Sequence, residues 1–100
     1  MAFPYYLYVD PKNLHLPTTR LSGADPGKLL RQISQFGNKV VGMRPPLVVV
    51  DPNGALQLID GVTRATRVAK LLPGNIIQVE VMGSTRAPVH QLPTIGDQLP

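Results

Sequence analysis

The sequence predicts a small α/β domain, a mixed sheet with two helices packed against it. Three observations predict it. Two stretches place apolar residues at helical spacing: Leu29, Leu30, Ile33 and Phe36, then Ala65, Val68, Ala69 and Leu72. Four others, near residues 5–9, 47–50, 55–59 and 76–82, alternate or cluster β-branched and aromatic side chains over strand lengths. Eleven prolines and nine glycines among 100 residues supply turns and leave no room for a long-helix bundle or coiled coil. A chain of this length builds a single core.

Tyr5 to Val9 alternates aromatic and aliphatic residues and is closed by Asp10-Pro11, which predicts a short strand. Four of the five aromatics (Phe3, Tyr5, Tyr6, Tyr8) crowd here. They read either as a surface for a partner or for stacked bases, or as rings that cap the core and lie along a sheet edge. Residues 14–23 show no period. Asp25 is suited to N-cap a helix and Pro26 to its first turn, and Gly37 supplies a left-handed stop, so a helix is predicted over 26–36. Its opposite face, Lys28, Arg31, Gln32 and Gln35, reads as solvated surface.

Pro45-Pro46 leads into Leu47-Val48-Val49-Val50, a buried strand. Asp51-Pro52-Asn53-Gly54 has type I turn preferences with Gly54 in the left-handed bulge, and residues 55–59 are predicted to pair back as a hairpin. A second helix over 63–72 ends at Pro73-Gly74, and residues 76–82 alternate as a half-exposed strand. Beyond Gly83, Pro88, Pro93 and Pro100 interrupt a stretch without period. The expected organisation is a domain over 1–83 and an extended tail over 84–100. The core is expected to include Leu29, Ile33, Phe36, Val49, Leu58, Ala65, Val68, Ala69, Leu72 and Val79.

Several function classes are excluded. Without cysteine there is no disulfide scaffold and no zinc-thiolate site, and His15 and His90 are too far apart in sequence to suggest a metal site. The apolar residues, 43% of the chain, fall in short clusters, so neither disorder nor a membrane span is expected. The first residues lack the charged region, apolar core and cleavage site of a secretory signal, which makes the cytoplasm the default expectation, with leaderless export equally compatible. A net charge of +4 permits an anionic partner.

One constellation carries chemistry. The second helix opposes its apolar stripe with Thr63, Thr66, Arg67 and Lys70, with Arg64 on the border, and begins directly after Asp60-Gly61. Free N–H groups, the positive end of the helix dipole, a hydroxyl and two guanidiniums are the parts of an anion site. Gly61, lacking Cβ, admits close approach of a phosphate to the backbone. In the competing reading, Asp60 or Thr63 caps the helix and the arginines lie in solvent.

The pieces that extend this pattern are Arg20 before the first helix, Leu29 to Gly37 within it, Pro46-Leu47-Val48-Val49, Leu58-Ile59-Asp60-Gly61-Val62-Thr63-Arg64, and Ile77 to Val81. Their order over about Val9 to Val81 resembles the ParB/sulfiredoxin fold, including ParB-like nuclease domains. The resemblance implies that Gly61 and Arg64, a Gly-x-x-Arg box, contact nucleotide phosphates, with Arg20 a second contact. Val62 stands where partition proteins carry Glu, and Thr63 where Arg or His is usual. The absence of cysteine excludes sulfiredoxin chemistry. Nothing after Gly83 resembles a helix-turn-helix.

The combined expectation is a stand-alone ParB-like module that binds a nucleotide or other phosphate-bearing ligand through Gly61, Thr63, Arg64, Arg67 and Arg20. Binding is expected ahead of catalysis; for a nuclease or nucleotidase reaction Asp60, the one acid beside the arginines, is the candidate catalytic residue, and a nucleotide with Mg²⁺ is the candidate cofactor. The alternative is a non-catalytic protein-protein interaction module using the N-terminal Tyr cluster or the Pro-containing tail. A third reading, nucleic-acid binding, uses the basic face with Lys39 and Arg44 and predicts sequence-tolerant, salt-sensitive affinity.

Overall fold

The computed structural model describes residues 2–100; Met1, the first residue of the expected 1–83 domain, lies outside the described residues. Four strands, β1 (Tyr5–Val9), β2 (Leu47–Val50), β3 (Leu56–Asp60) and β4 (Ile77–Ser84), form one mixed sheet in the order β1-β4-β2-β3. Antiparallel pairs β1/β4 and β2/β3 flank a parallel β2/β4 pair at the centre. The helices are α1 (Pro26–Phe36) and α2 (Val62–Leu71). α2 packs on the sheet and α1 packs chiefly on α2. The small mixed α/β class expected from the sequence is the class observed.

The local reasons are those in the sequence. Asp25 accepts the Lys28 N–H at 3.0 Å and N-caps α1, and Gly37 ends it at a φ of 54°, donating to the Ile33 carbonyl at 2.8 Å. The second hairpin strand is shifted by one residue from the expected 55–59, as α2 is from 63–72. Both shifts are of the size by which element ends fray.

One face of the sheet is dry. Val48, Leu58, Val79 and Val81 are fully buried there against Ala65, Val68 and Ala69 of α2. Leu14, Leu16 and Ile95, all from segments without sequence period, belong to the same cluster, as do Leu56 and Ile77 of the sheet. Four expected core positions differ. Phe36 is 39% exposed, while Ile33, Val49 and Leu72 are half-buried. α1 touches the core through its partner helix, so only Leu29 of its stripe is driven inside. In β2 the alternation puts Val48, rather than Val49, on the dry face.

The tail is the larger correction. Residues 84–100 were expected to be extended and separable, but the chain folds back over the domain. Thr85 N–H donates to the Val50 carbonyl, Leu16 N–H to Pro93 and Ile95 N–H to Leu14, each at 2.8 to 2.9 Å. Val89 and Ile95 are 1% and 2% exposed. Isolated apolar residues between prolines carry no periodic signal, yet each fills a hole that the regular elements leave open.

Asp51 anchors the start of this return. Its carboxylate, 4% exposed, accepts N–H groups from Asn53 and Ala55 of the hairpin turn, both at 2.9 Å, and from Val89 at 3.1 Å. The Val89 bond is the leading cause that holds its pKa below the ordinary 3.8, outweighing the desolvation that raises it. Because the folded-state pKa is depressed, ionised Asp51 stabilises the fold above about pH 3.8, and this contribution disappears as pH falls through the lower folded-state value. Acid unfolding followed by circular dichroism should therefore lose part of its pH dependence in Asp51→Asn. Ile95→Ala should lower stability by about 2 to 5 kcal/mol in urea titrations, as for a core truncation; a change near zero would mean that the tail is peripheral.

Candidate functional site

The β3–α2 junction is built around Gly61. It occupies the left-handed region at a φ of 93°, and an added Cβ would lie 2.9 Å from the Pro46 Cβ and 2.8 Å from Arg64 Nη2. Its lack of a side chain is thus required by Pro46 as well as by the turn, whereas the tip of Arg64 could move aside. No side chain caps α2, so neither Asp60 nor Thr63 satisfies its first N–H groups. The first backbone bond of the helix is Ala65 N–H to the Gly61 carbonyl at 3.0 Å. The N–H groups of Val62, Thr63 and Arg64 precede it and have no partner inside the helix.

These groups border a cleft of about 530 Å³. Gly61, Thr63, Arg64, Asp60 and Arg20 all line it, so the structure brings together five of the six candidate residues. The opposite wall is the polar face of α1: Lys28, Arg31, Gln32 and Gln35. The sequence reading assigned that face to solvent. The available signal was its spacing, which puts two cations and two amides on one helix face, but no sequence pattern showed that α2 begins across from it. Four cationic side chains, Arg20, Lys28, Arg31 and Arg64, line the cleft with two carboxylates, Asp25 and Asp60. Asp25 Oδ2 is engaged in capping α1.

Arg64 is the most constrained of the cations. Its side chain is 18% exposed, Nε donates to the Arg44 carbonyl at 3.2 Å, and Nη2 lies 3.9 Å from Asp60 Oδ2. Asp60, 53% exposed, lies at the same distance from Arg44 Nη2, too long for a strong pair in either case. Desolvation pulls the Arg64 pKa below the ordinary arginine value, Asp60 pushes it back up and Arg44 lowers it; the guanidinium stays charged throughout the accessible pH range. Arg64 Nη2 and Gln32 Oε1 are buried and make no hydrogen bond among the described residues. A donor and an acceptor are therefore left unpaired on side chains that line the cleft.

Arg67 stands apart from the cleft. It is 1% exposed, and Nη1 donates to the carbonyls of Gly37 at 2.7 Å and Lys39 at 2.8 Å. Nη2 lies 3.4 Å from the Met43 sulfur, and the guanidinium sits 5.5 Å over the Phe36 ring. Thr66 is buried as well, its hydroxyl donating to the Val62 carbonyl at 2.7 Å. The sequence reading placed both on a solvent-facing anion surface. Instead Arg67 faces α1 and the connector after it and holds the exit of α1 in place, while Thr66 bonds back to its own helix. A second cavity, of about 690 Å³, lies between that connector and the helices, where Phe36, Lys39, Met43, Arg64 and Arg67 line it.

Comparisons of the chain with models of known families, with curated proteins and with solved structures find no match.

The two arginines should separate cleanly by mutation. Arg67→Ala removes charge-assisted bonds to two carbonyls and should destabilise the fold by about 2 to 4 kcal/mol in urea titrations. Arg20→Ala, an exposed change, should stay within about 0.5 kcal/mol of wild type. Equal effects would contradict a structural role for Arg67.

Proposed function

We propose that this chain is a ParB-like module that binds a nucleotide or other phosphate-bearing ligand in the cleft at the start of α2. One observation carries the reading: an uncapped helix N-terminus opens into a cleft walled by four cationic side chains. Phosphate oxygens there accept from the free N–H groups of α2, from Thr63 and from the Arg64 and Arg20 guanidiniums. The cleft volume falls within the usual range of small-molecule sites. Gly61 and Arg64 occupy the positions that the Gly-x-x-Arg resemblance assigns to phosphate contact. Asp60 is the carboxylate paired with Arg64, and hydrolysis of a phosphodiester or nucleotide would place it beside the charge that the arginines stabilise.

Protein-protein contact is the second reading, favoured by the exposure of Tyr6 and Tyr8 at 52% and 67%. The half of it that relied on a free Pro-containing tail loses its support, since Val89 and Ile95 belong to the interior.

Thermal-shift measurements with inorganic phosphate and with nucleoside mono-, di- and triphosphates, with and without Mg²⁺, test the binding reading. A ligand at about 100 times its Kd should add roughly 2.7 kcal/mol and raise Tm by on the order of 10 °C. Arg64→Ala should weaken binding by about 1.5 to 3 kcal/mol, roughly tenfold or more, and Arg86→Ala, outside the cleft, should leave it unchanged. If no phosphate compound moves Tm, the reading fails. Turnover that is lost in Asp60→Asn while binding persists identifies an enzyme; binding without turnover identifies a binding module.

A further inference from the structure

The two edges of the sheet are finished differently. At the β3 edge, the chain segment at His15 lies alongside: His15 N–H donates to the Leu56 carbonyl, and Leu58 N–H donates to the His15 carbonyl, both at 2.9 Å. The tail covers that segment in turn, with Thr94 bridged to His15. At the other edge, β1 pairs only with β4, and its outward backbone groups have no partner among the described residues.

An open edge is normally blunted by a charge, an internal proline or a bulge. β1 has none of these. Ala2 to Val9 carries no charged residue in a chain of net charge +4, and its register with β4 is regular over all five positions. The nearest charge, Asp10, accepts the Lys12 N–H at 3.0 Å. The edge is also apolar on both faces. Tyr6 and Tyr8 project from the open face, while Leu7, on the side of the dry face, is still 38% exposed.

We propose that β1 is a self-association edge, where two copies of this chain pair β1 to β1 antiparallel about a two-fold axis at Leu7 and join their sheets into one. The occupant is a second copy because the strand is complementary to itself. Pro4 and Pro11 bound a five-residue strand, and only the register centred on Leu7 pairs all five residues with themselves. That register sets Tyr6 against Tyr8 of the other copy twice on the open face, Leu7 against Leu7 and Tyr5 against Val9 on the other. It satisfies the outward backbone groups of both edges and keeps the basic residues of two like-charged chains off the seam. A charged partner strand has nothing on β1 to pair with. This inference is independent of the cleft.

Sedimentation equilibrium of the full chain across the micromolar range tests it, with variants at Tyr6 and Tyr8 because their exposure makes them tolerant of substitution. Wild type should dimerise. Tyr6→Lys/Tyr8→Lys sets like charges opposite one another and should raise the dimer Kd at least about tenfold. Tyr6→Lys/Tyr8→Glu sets each Lys against a Glu of the other copy and should retain the dimer, which only the proposed register predicts. Circular dichroism and Tm confirm that both variants fold. A wild type that stays monomeric throughout the range, including one that captures a strand of another protein, overturns the proposal. So does a Lys/Lys variant that dimerises like wild type, or a folded Lys/Glu variant that does not dimerise.

Discussion

A guanidinium buried without a carboxylate holds the working parts of this molecule in place. Arg67 reaches from the middle of α2 to the carbonyls of Gly37, the C-cap of α1, and Lys39 in the connector beyond it, and so ties the exit of one helix to the flank of the other. A backbone carbonyl taken out of water needs a donor, which makes these two suitable partners for a cation that has also left water. Burial lowers the pKa of Arg67, yet an arginine keeps its proton where a lysine would surrender it more readily. The cleft depends on this tie. Its two walls are the start of α2 and the polar face of α1, and α1 meets the core chiefly through α2.

Much of the architecture was legible because local chemistry and tertiary packing agree. The Asp25 cap, the Asp51 to Gly54 turn and the alternation in β4 each specify one conformation, and each is found. What was illegible has a common cause. Leu14, Leu16, Val89 and Ile95 are buried by shape, one residue at a time, from segments whose backbone follows no period. A pattern method reads faces, and these residues belong to none. Phe36 shows the converse: its spacing is correct for the stripe of α1, but the stripe extends past the surface that covers it.

The candidate site was partly legible for the same reason. Gly61, Thr63 and Arg64 announce themselves by falling within one short stretch, and Arg20 entered only through a family resemblance. The α1 wall was missed because a helix face bearing Lys28 and Arg31 looks the same in sequence whether it meets water or a cleft. Arg67 was misplaced because helical angle alone cannot distinguish a polar face turned to solvent from one turned to another helix's carbonyls. Three residues after Arg64, it shares that residue's side of α2 and still does different work.

The pairing of β1 with β4 joins Tyr5 to Val81 and Val9 to Ile77, positions near opposite ends of the chain. During synthesis, β1 therefore emerges long before the strand that shelters it. Domains rich in such distant pairings fold more slowly than those built from neighbouring segments, and exposed apolar strands are vulnerable while they wait. An uncharged segment with four aromatic rings spends that interval without its sheet. For a growing chain, an adhesive stretch is made well before the strand that puts it away.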